Sequence, residues 1–122
     1  MKDTLSALAR DHIERPRNRG KFSGNAPGTI LHGEAGSEAS GVLVRFQLQV
    51  LDDSIEAVHF DLLGPPELIA AASCLSEKLV ARKAVSASVP PGLVVARELD
   101  LPRAVHGLAL LAEDGALACF DS

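Results

Sequence analysis

The sequence predicts an α+β domain in which an antiparallel sheet of about three strands packs against several helices. Two observations predict this class. Two alternating apolar–polar segments return on one another through a short turn, and apolar residues at helical spacing lie before and after them. Strand patterns come first and helical patterns mostly after, an order typical of α+β domains. With 122 residues, the chain is predicted to form a single domain over residues 1–122.

The amino-terminal segment predicts a helix over residues 3–13. Its apolar face repeats at spacings of three and four, through Leu5, Leu8, Ala9, His12 and Ile13. Pro16 ends this helix, because the residue before a proline avoids the α region. Residues 17–28 are rich in Gly, Asn and Pro, which predicts a loop, and residues 29–32 predict a short strand.

The central segments predict an antiparallel hairpin of residues 42–51 and 54–63. Apolar side chains alternate along both, at Val44, Phe46, Leu48 and Val50 in the first strand and Val58, Phe60 and Leu62 in the second. Asp52 and Asp53 form the turn between them. They are interpreted as turn residues rather than as a catalytic carboxylate pair.

Three helices are predicted after the hairpin. The first begins at 64–67, where proline suits a first helical turn and Glu67 complements the helix dipole. It continues to about residue 82 with an apolar stripe of Leu68, Ala72, Leu75 and Leu79. A short helix is predicted over 91–99, and a last one over 103–119 with Leu108, Ala112 and Cys119 facing inward.

Composition excludes several classes of function. The net charge is −4 and aromatic residues make up 3%, which argues against nucleic-acid binding by a basic footprint or by base stacking. Residues 1–22 carry a local charge of +3, with a basic cluster at Arg10, Arg15, Arg17, Arg19 and Lys21. This cluster is either a solvated basic arm or a surface that docks an acidic partner. No apolar run suits a membrane span or a secretion signal, and two cysteines are too few for a disulfide framework, so we expect a cytoplasmic protein without membrane contact.

Isolated candidates for chemistry are weak. The four histidines (His12, His32, His59 and His106) lie far apart in sequence, without metal-ligand spacing. Cys74 and Cys119 lie within apolar helical patterns and are predicted to be buried small hydrophobic residues. The nucleophile-elbow, P-loop and dinucleotide-binding motifs are missing from the sequence.

Several segments, in order, nevertheless resemble one family. Residues 11–20 are similar to the "DHYxNPRNxG" opening of the iron–sulfur cluster assembly scaffolds, that is, the IscU type and the amino-terminal domain of NifU. Residues 33–42 are similar to the family's "GAPxCGD" loop, and residues 60–73 to its strand-to-helix turn "FxxxGCxxxxASSS". Residues 101–107 and 111–114 resemble "LPxxKxHC" and "LAED". The resemblance covers residues 7–119 and implies the scaffold fold.

The resemblance also implies where cluster ligands would lie, and this chain departs from the family there. The family's three cysteines fall on Ser40, Pro65 and Gly107, and its aspartate on Val42. Only the histidine before the third cysteine is retained, as His106. Cluster irons need soft, deprotonated sulfur donors. The chain is therefore interpreted as a degenerate member with no catalytic residue, metal ligand or expected cofactor. One possibility stays open, namely a substitute hard-metal site from Glu38, Glu67 and His106.

The function implied is an accessory or regulatory interaction protein in iron–sulfur biogenesis rather than an enzyme. The resemblance implies a cysteine desulfurase or other assembly proteins as partners, with the chain a monomer or weak homodimer. Candidate partner-binding residues are Arg15, Arg17, Arg19, Leu101, Pro102 and Arg103. The chaperone-recognition segment "LPPVK" is altered here, having lost its lysine and second proline, which argues against chaperone binding.

Two alternatives remain open at this stage. One is a genuine iron or cluster carrier whose ligands come from a partner. The other is a small-molecule-binding domain built in the vacated pocket, a use that the fold alone neither favours nor excludes.

Overall fold

The computed structural model describes residues 5–121, and the elements within them form an α+β fold. In chain order they are α1 (Ala7–Glu14), β1 (Thr29–Ser37), β2 (Val42–Leu51), β3 (Ser54–Leu63), α2 (Pro66–Leu79), α3 (Gly92–Glu98) and α4 (His106–Ala118), with short 3-10 turns at Ser86–Ser88 and Arg103–Val105. The strands form one antiparallel sheet in the order β1-β2-β3. The predicted fold class is confirmed.

The predicted hairpin is present with the predicted bounds. β2 pairs with β3 from Leu43 opposite Leu63 to Leu51 opposite Ser54, with one register shift at Gln49/Val50. Asp52 and Asp53 both adopt positive φ, at 50° and 64°. Short hairpin turns require this conformation, which aspartate tolerates better than most residues.

β1 is longer than predicted, because it continues from Thr29 to Ser37 in unbroken register with β2. Gly33 and Gly36 weaken the strand signal in the sequence, yet they pair with Phe46 and Leu43. The assignment of residues 33–42 to a loop was therefore wrong, since the connection between β1 and β2 is only 38–41. Pairing with a strong neighbouring strand outweighs the low propensity of the two glycines.

α1 starts later than predicted. Ser6 is its N-cap, and its hydroxyl accepts a hydrogen bond from the Ala9 N–H at 3.0 Å. Residues 3 and 4, which the predicted helix included, lie outside the described residues. α2 ends at Leu79 rather than near residue 82, and Ala81 beyond it has a φ of 72°. The other two predicted helices agree with α3 and α4 to within about one turn.

The core lies between one face of the sheet and the helices. Val44, Phe46, Leu48, Val58 and Phe60 supply the sheet side and are buried. The predicted stripe of α2 (Leu68, Ala72, Leu75 and Leu79) and Ala112 of α4 are also buried against them, while Leu108 is half-buried. Among residues 5–121, no helix has the length and apolar character needed to cross a membrane.

Candidate functional site

One end of the sheet gathers two of the loops that the sequence singles out. The 38–41 connection leads into β2, and β3 leaves the sheet at Leu63, opposite Leu43. Val42 Cγ1 lies 3.7 Å from the point where a Cβ on Gly64 would sit. Val42 and the Gly64–Pro65 turn are therefore neighbours across the sheet, although 22 residues separate Val42 from Gly64 in sequence.

The Ser40 hydroxyl is used within its own turn. It donates a hydrogen bond to the Ser37 carbonyl at 2.9 Å and accepts one from the Val42 N–H at 3.3 Å. The Ser40 N–H in turn donates to Ser37 Oγ at 3.2 Å. These hydrogen bonds close the 38–41 loop, so the Ser40 hydroxyl has a structural role in this turn.

Pro65 and Pro66 form the start of α2. Pro65 is the N-cap in extended conformation, with φ of −74° and ψ of 164°, and Pro66 is the first helical residue. The Leu68 N–H donates to the Pro65 carbonyl at 3.0 Å. Proline has no N–H to leave unpaired here and is preset for a helix start. Neither proline offers a side-chain donor.

α4 points its amino end toward the same end of the sheet. Near its carboxyl end, Cys119 Sγ lies 3.7 Å from the Phe46 carbonyl, and one turn earlier Gly115 lies against Val44. Following α4 backward from Cys119 to Gly115 therefore leads along β2 from Phe46 to Val44, toward Val42. His106 and Gly107 lie at the amino end of this helix.

His106 makes a local hydrogen bond, because its Nε2 lies 2.9 Å from the Leu101 carbonyl. A carbonyl only accepts, so Nε2 carries the proton and Nδ1 is the unprotonated nitrogen of the neutral ring. Gly107 is exposed, and apart from its chain neighbours and the backbone of its own helix no described atom lies within 4 Å of where its Cβ would be. There is space for a side chain at this position.

Both cysteines are buried in the core, as the sequence predicts. Burial, followed by the charge of the nearby Glu98 carboxylate, raises the pKa of Cys74 to about 11. Burial also raises the pKa of Cys119 to about 12. Metal ligation and nucleophilic attack both need the thiolate, so neither cysteine is suited to either role.

The open possibility of a substitute metal site gains no geometric support. Among residues 5–121, no three His, Cys, Asp or Glu side chains are arranged to hold a metal ion. Glu38, Glu67 and His106 thus do not form such a group.

A buried polar network connects the 12–18 segment to α2, and sequence reasoning missed it. His12, only 3% exposed, places Nδ1 2.7 Å from Ser73 Oγ. The same hydroxyl accepts the Arg17 N–H at 2.8 Å. Asn18 Nδ2 donates to Ser76 Oγ at 3.0 Å. The available signal was a pair of serines three residues apart in the apolar run that begins at Leu68.

Burial lowers the pKa of His12, and the positive charge of Arg17 lowers it further, against the opposing effect of Glu77. His12 Nε2 lies 3.7 Å from a carboxylate oxygen of Glu77. The imidazole of His12 is therefore neutral and lies between Ser73 and Glu77. In this position His12 holds α1 against α2.

The predicted basic arm is folded back onto acidic side chains. Arg15 and Arg17 both donate to the Asp11 carboxylate, and the hydrogen bond from Arg17, followed by that from Arg15, holds the pKa of Asp11 below its usual range. Arg17 also lies 3.8 Å from Glu77, and Arg19 lies 3.6 Å from Asp61. These three arginines already have intramolecular partners.

The second predicted partner-binding segment, residues 101–103, contains both buried and exposed side chains. Leu101 is 4% exposed and belongs to the core, whereas Pro102 and Arg103 are exposed. Only the latter two side chains are placed to touch another protein.

Comparisons with known proteins agree on one family. The family model of the "NifU-like N terminal domain" matches residues 6–121. The chain is 32% identical over 105 residues to the iron-sulfur cluster assembly scaffold protein IscU of Escherichia coli, covering 85% of this chain and 81% of that protein. It is 34% identical over the same length to IscU of Azotobacter vinelandii, with the same coverage.

A mitochondrial relative and a solved structure extend the comparison. Iron sulfur cluster assembly protein 1 of Yarrowia lipolytica is 33% identical over 105 residues, which cover 58% of that protein. The crystal structure of a nitrogen-fixing NifU-like protein (N-terminal) from Brucella abortus superimposes with a TM-score of 0.63 at 14% identity, over 93% of this chain and 90% of that chain. This structural likeness supports the fold.

Proposed function

This chain belongs to the NifU-like N-terminal domain family, and we propose that it is a member without cluster ligands, acting as an accessory or regulatory interaction protein in iron–sulfur cluster assembly. The relatives named above are scaffold proteins for such assembly. The proposal makes this chain a non-enzymatic partner in that process, working in the cytoplasm. It expects no resident iron, zinc or cluster.

The observation that carries the proposal is the location of the two cysteine sulfur atoms. A nascent cluster, which is a scaffold's cargo, requires accessible thiolates. Cys74 and Cys119 are buried and have raised pKa values, and Cys74 is on α2 while Cys119 caps α4. No pair of accessible thiolates exists among the described residues to hold an iron.

The donor chemistry at the resembling positions supports the same conclusion. Ser40 holds its hydroxyl in its own turn, and hydroxyls are harder donors that stay protonated at neutral pH. Val42, Pro65 and Gly107 have no side-chain donor at all. We further propose that Ser40, Pro65 and Gly107 converge at one end of the sheet. The adjacency of Val42 and Gly64 and the direction of α4 support this convergence.

The proposed partners are a cysteine desulfurase or other assembly proteins. On this chain the contact would come from the exposed Pro102 and Arg103, with Arg15, Arg17 and Arg19 at a second surface. Charged residues at the rim of an interface mainly control the rate of association. The ion pairs of the three arginines would then have to open or be shared when a partner binds.

Metal analysis with anaerobic reconstitution tests the loss of the ligands. The purified protein should contain no stoichiometric iron, zinc or acid-labile sulfide, and reconstitution should give no visible charge-transfer band. The matched control is the double variant Cys74→Ala with Cys119→Ala. A band that persists in this variant would contradict the proposal, since it would require a ligand set other than the two cysteines.

Co-purification of the native protein tests the partner. We expect a cysteine desulfurase or another iron–sulfur assembly protein to be captured, and Arg103→Glu to reduce the capture several-fold. Arg97→Glu is the matched control, because Arg97 is an exposed arginine on α3 outside both surfaces. Capture of an unrelated enzyme, unaffected by Arg103→Glu, would overturn this part of the proposal.

A further inference from the structure

A polar groove lies on the face of the sheet opposite the helices. Its cavity of about 450 Å³ is lined in part by Lys21, His32, Glu34, Arg45, His59 and Asp61. The size is within the range of small-molecule sites. The groove is on the other side of the sheet from both buried cysteines.

Strand register arranges the floor of the groove in two rows across the sheet. His32, Gln47 and His59 are paired neighbours in one row, and Glu34, Arg45 and Asp61 form the next. Side chains at alternate positions of a strand lie on the same face. The two rows therefore project from the same surface, side by side.

The 18–27 segment forms a wall over one side of the floor. Asn18 and Gly20 hydrogen-bond to the Phe60 backbone at 3.0 and 2.8 Å, extending the edge of β3. Phe22 packs on the His59 ring with 4.4 Å between centroids. Gln49 Nε2 donates to the Pro27 carbonyl at 2.9 Å. These contacts hold the wall in place without a ligand.

Hydrogen bonds determine which ring nitrogens of His32 and His59 act as donors and which act as acceptors. The Phe22 N–H donates to Gln47 Oε1 at 2.8 Å, so Gln47 Nε2 is the donor toward His32 Nδ1 at 3.4 Å. Neutral His32 then carries its proton on Nε2. His59 Nδ1 donates to the Asn18 carbonyl at 3.1 Å, which leaves His59 Nε2 as an acceptor.

The groove presents charged side chains of both signs. Arg45 lies 3.5 Å from Glu34, and Arg19 lies 3.6 Å from Asp61. Within the part of the chain that the structure describes, Lys21 forms no ion pair. The lining of the groove thus carries two cations, Lys21 and Arg45, and two carboxylates, Glu34 and Asp61. The groove therefore offers cationic partners for a carboxylate and acceptor oxygens for a hydrogen-bond donor on the same ligand.

A smaller cavity of about 220 Å³ adjoins the groove, and Arg45 and Asp61 line both. Its other walls include Leu43 and Leu63, and Leu63 is half exposed. A ligand whose anionic group contacts Arg45 would therefore have apolar surface within reach on one side and hydrogen-bond acceptors on the other.

We propose that this groove binds a small organic carboxylate with a hydrogen-bond donor and a short branched apolar substituent, as in 2-hydroxy and 2-amino acids. Arg45, Lys21 and His32 Nε2 bind the carboxylate. His59 Nε2 and Asp61 accept the hydroxyl or ammonium proton. Leu43 and Leu63 contact the apolar substituent. This binding is independent of the loss of cluster ligands, because it uses the opposite face of the sheet.

Nitrogen-edited NMR titration of the full chain tests the proposal with defined probes. L-leucine and 2-hydroxy-4-methylpentanoate should give saturable shifts at Lys21, His32, Gln47 and His59. L-leucinamide lacks the carboxylate and should bind weakly. L-alanine lacks the branched substituent, so it should saturate only at a higher concentration. Of the two acids, the one that saturates first identifies the donor as hydroxyl or ammonium.

Arg45→Gln should weaken binding about tenfold, because charge-assisted hydrogen bonds are the strong contacts in such a site. Arg97→Gln, outside the groove, is the matched control and should bind as the parent does. If Arg45→Gln does not fold, Lys21→Gln provides the same comparison. Equal shifts with leucine and leucinamide, equal binding of inorganic phosphate, or shifts that never saturate would each overturn the proposal.

Discussion

His12 shows how a single side chain can hold two elements together. It lies on α1, and Ser73 lies 61 residues away on α2, yet the two are joined at 2.7 Å in a buried setting. Ser73 also holds the Arg17 backbone at 2.8 Å. The Ser73 hydroxyl, bonded to both the His12 ring and the Arg17 backbone, therefore anchors α1 and the 15–18 segment to α2.

Removing this anchor should destabilise the protein. We expect His12→Ala to lower the free energy of unfolding by about 1–3 kcal/mol, since it leaves a buried polar group without its partner. Chemical denaturation measures this change. His32→Ala, which changes an exposed histidine, should alter stability by no more than about 0.5 kcal/mol. Equal midpoints for the two variants would contradict the anchoring role.

His12 also predicts a pH dependence of stability. Its pKa is lowered from the ordinary 6.5 in the folded state, so at pH values below 6.5 the unfolded chain binds the proton more readily than the folded chain does. The stability contributed by neutral His12 is therefore complete above pH 6.5 and lost as pH falls toward the lower folded-state pKa.

Denaturation of the parent and of His12→Gln from about pH 8 to about pH 5.5 isolates this effect. The parent should lose more stability than the variant over this range. A parent and variant that lose stability in parallel would show that His12 does not contribute to the pH dependence.

The two thiols supply a second test at this scale. With pKa values of about 11 and about 12 and little exposure, Cys74 and Cys119 should react with Ellman's reagent at about pH 8 only as the protein unfolds. Thiol titration with and without denaturant measures this. Ser40→Cys adds an exposed thiol and should react at once. Rapid labelling of the parent would contradict the burial on which the proposed function depends.

At the scale of elements, the contact of α4 with β1 decides the shape of the helix layer. A Cβ on Gly33 would lie 2.4 Å from the Cys119 nitrogen and 2.5 Å from the Gly115 carbonyl oxygen. Both are backbone atoms, which cannot rotate away as a side chain can. The close approach of α4 to the sheet therefore depends on glycine at this position.

Gly33→Ala should force α4 away from β1 and cost about 1–3 kcal/mol, the usual penalty of overpacking a core. Gly24→Ala is the matched control, because apart from its chain neighbours no described atom lies within 4 Å of a Cβ there. Thermal or chemical denaturation of both variants gives the difference. A Gly33→Ala midpoint equal to that of Gly24→Ala would show that α4 shifts freely.

At the scale of the whole molecule, the proposed site depends on loops that are distant in sequence. Ser40 lies in the 38–41 connection and Val42 begins β2, whereas Pro65 precedes α2 and Gly107 lies in the first turn of α4. Only the packing of α4 and the β2–β3 pairing can bring these positions together. Space for a new side chain exists at Gly107, and Ser40 is exposed. The fold should therefore accept a rebuilt ligand set.

The quadruple variant Ser40→Cys, Val42→Asp, Pro65→Cys and Gly107→Cys should bind one zinc ion, because three thiolates and a carboxylate complete a tetrahedral shell. Zinc content and competition with a chelator measure the affinity. The parent should bind none and Ser40→Cys alone only weakly. A quadruple variant that folds without binding zinc would show that these positions do not converge.

Much of the fold followed from patterns within about ten residues of one another. The alternation of apolar and polar residues around Phe46 and around Phe60 was enough to predict both strands and the turn between them. The prediction for β1 failed for an equally local reason. Two glycines weaken the strand pattern in its second half, because strand propensity describes a residue's own preference and not the effect of its pairing partner. The site was predicted only through the family resemblance, and its convergence stays a prediction.

The sequence by itself determined the β2–β3 hairpin, the start of α2 at Pro66 and the residue types at the resembling ligand positions, because each depends on local backbone geometry or on identity alone. Tertiary structure decided the length of β1, the His12–Ser73 anchor and the groove over Arg45. Each of these depends on contacts between residues distant along the chain. The physical reason is that burial and pairing arise only when packed elements exclude water, which no short stretch of sequence does alone.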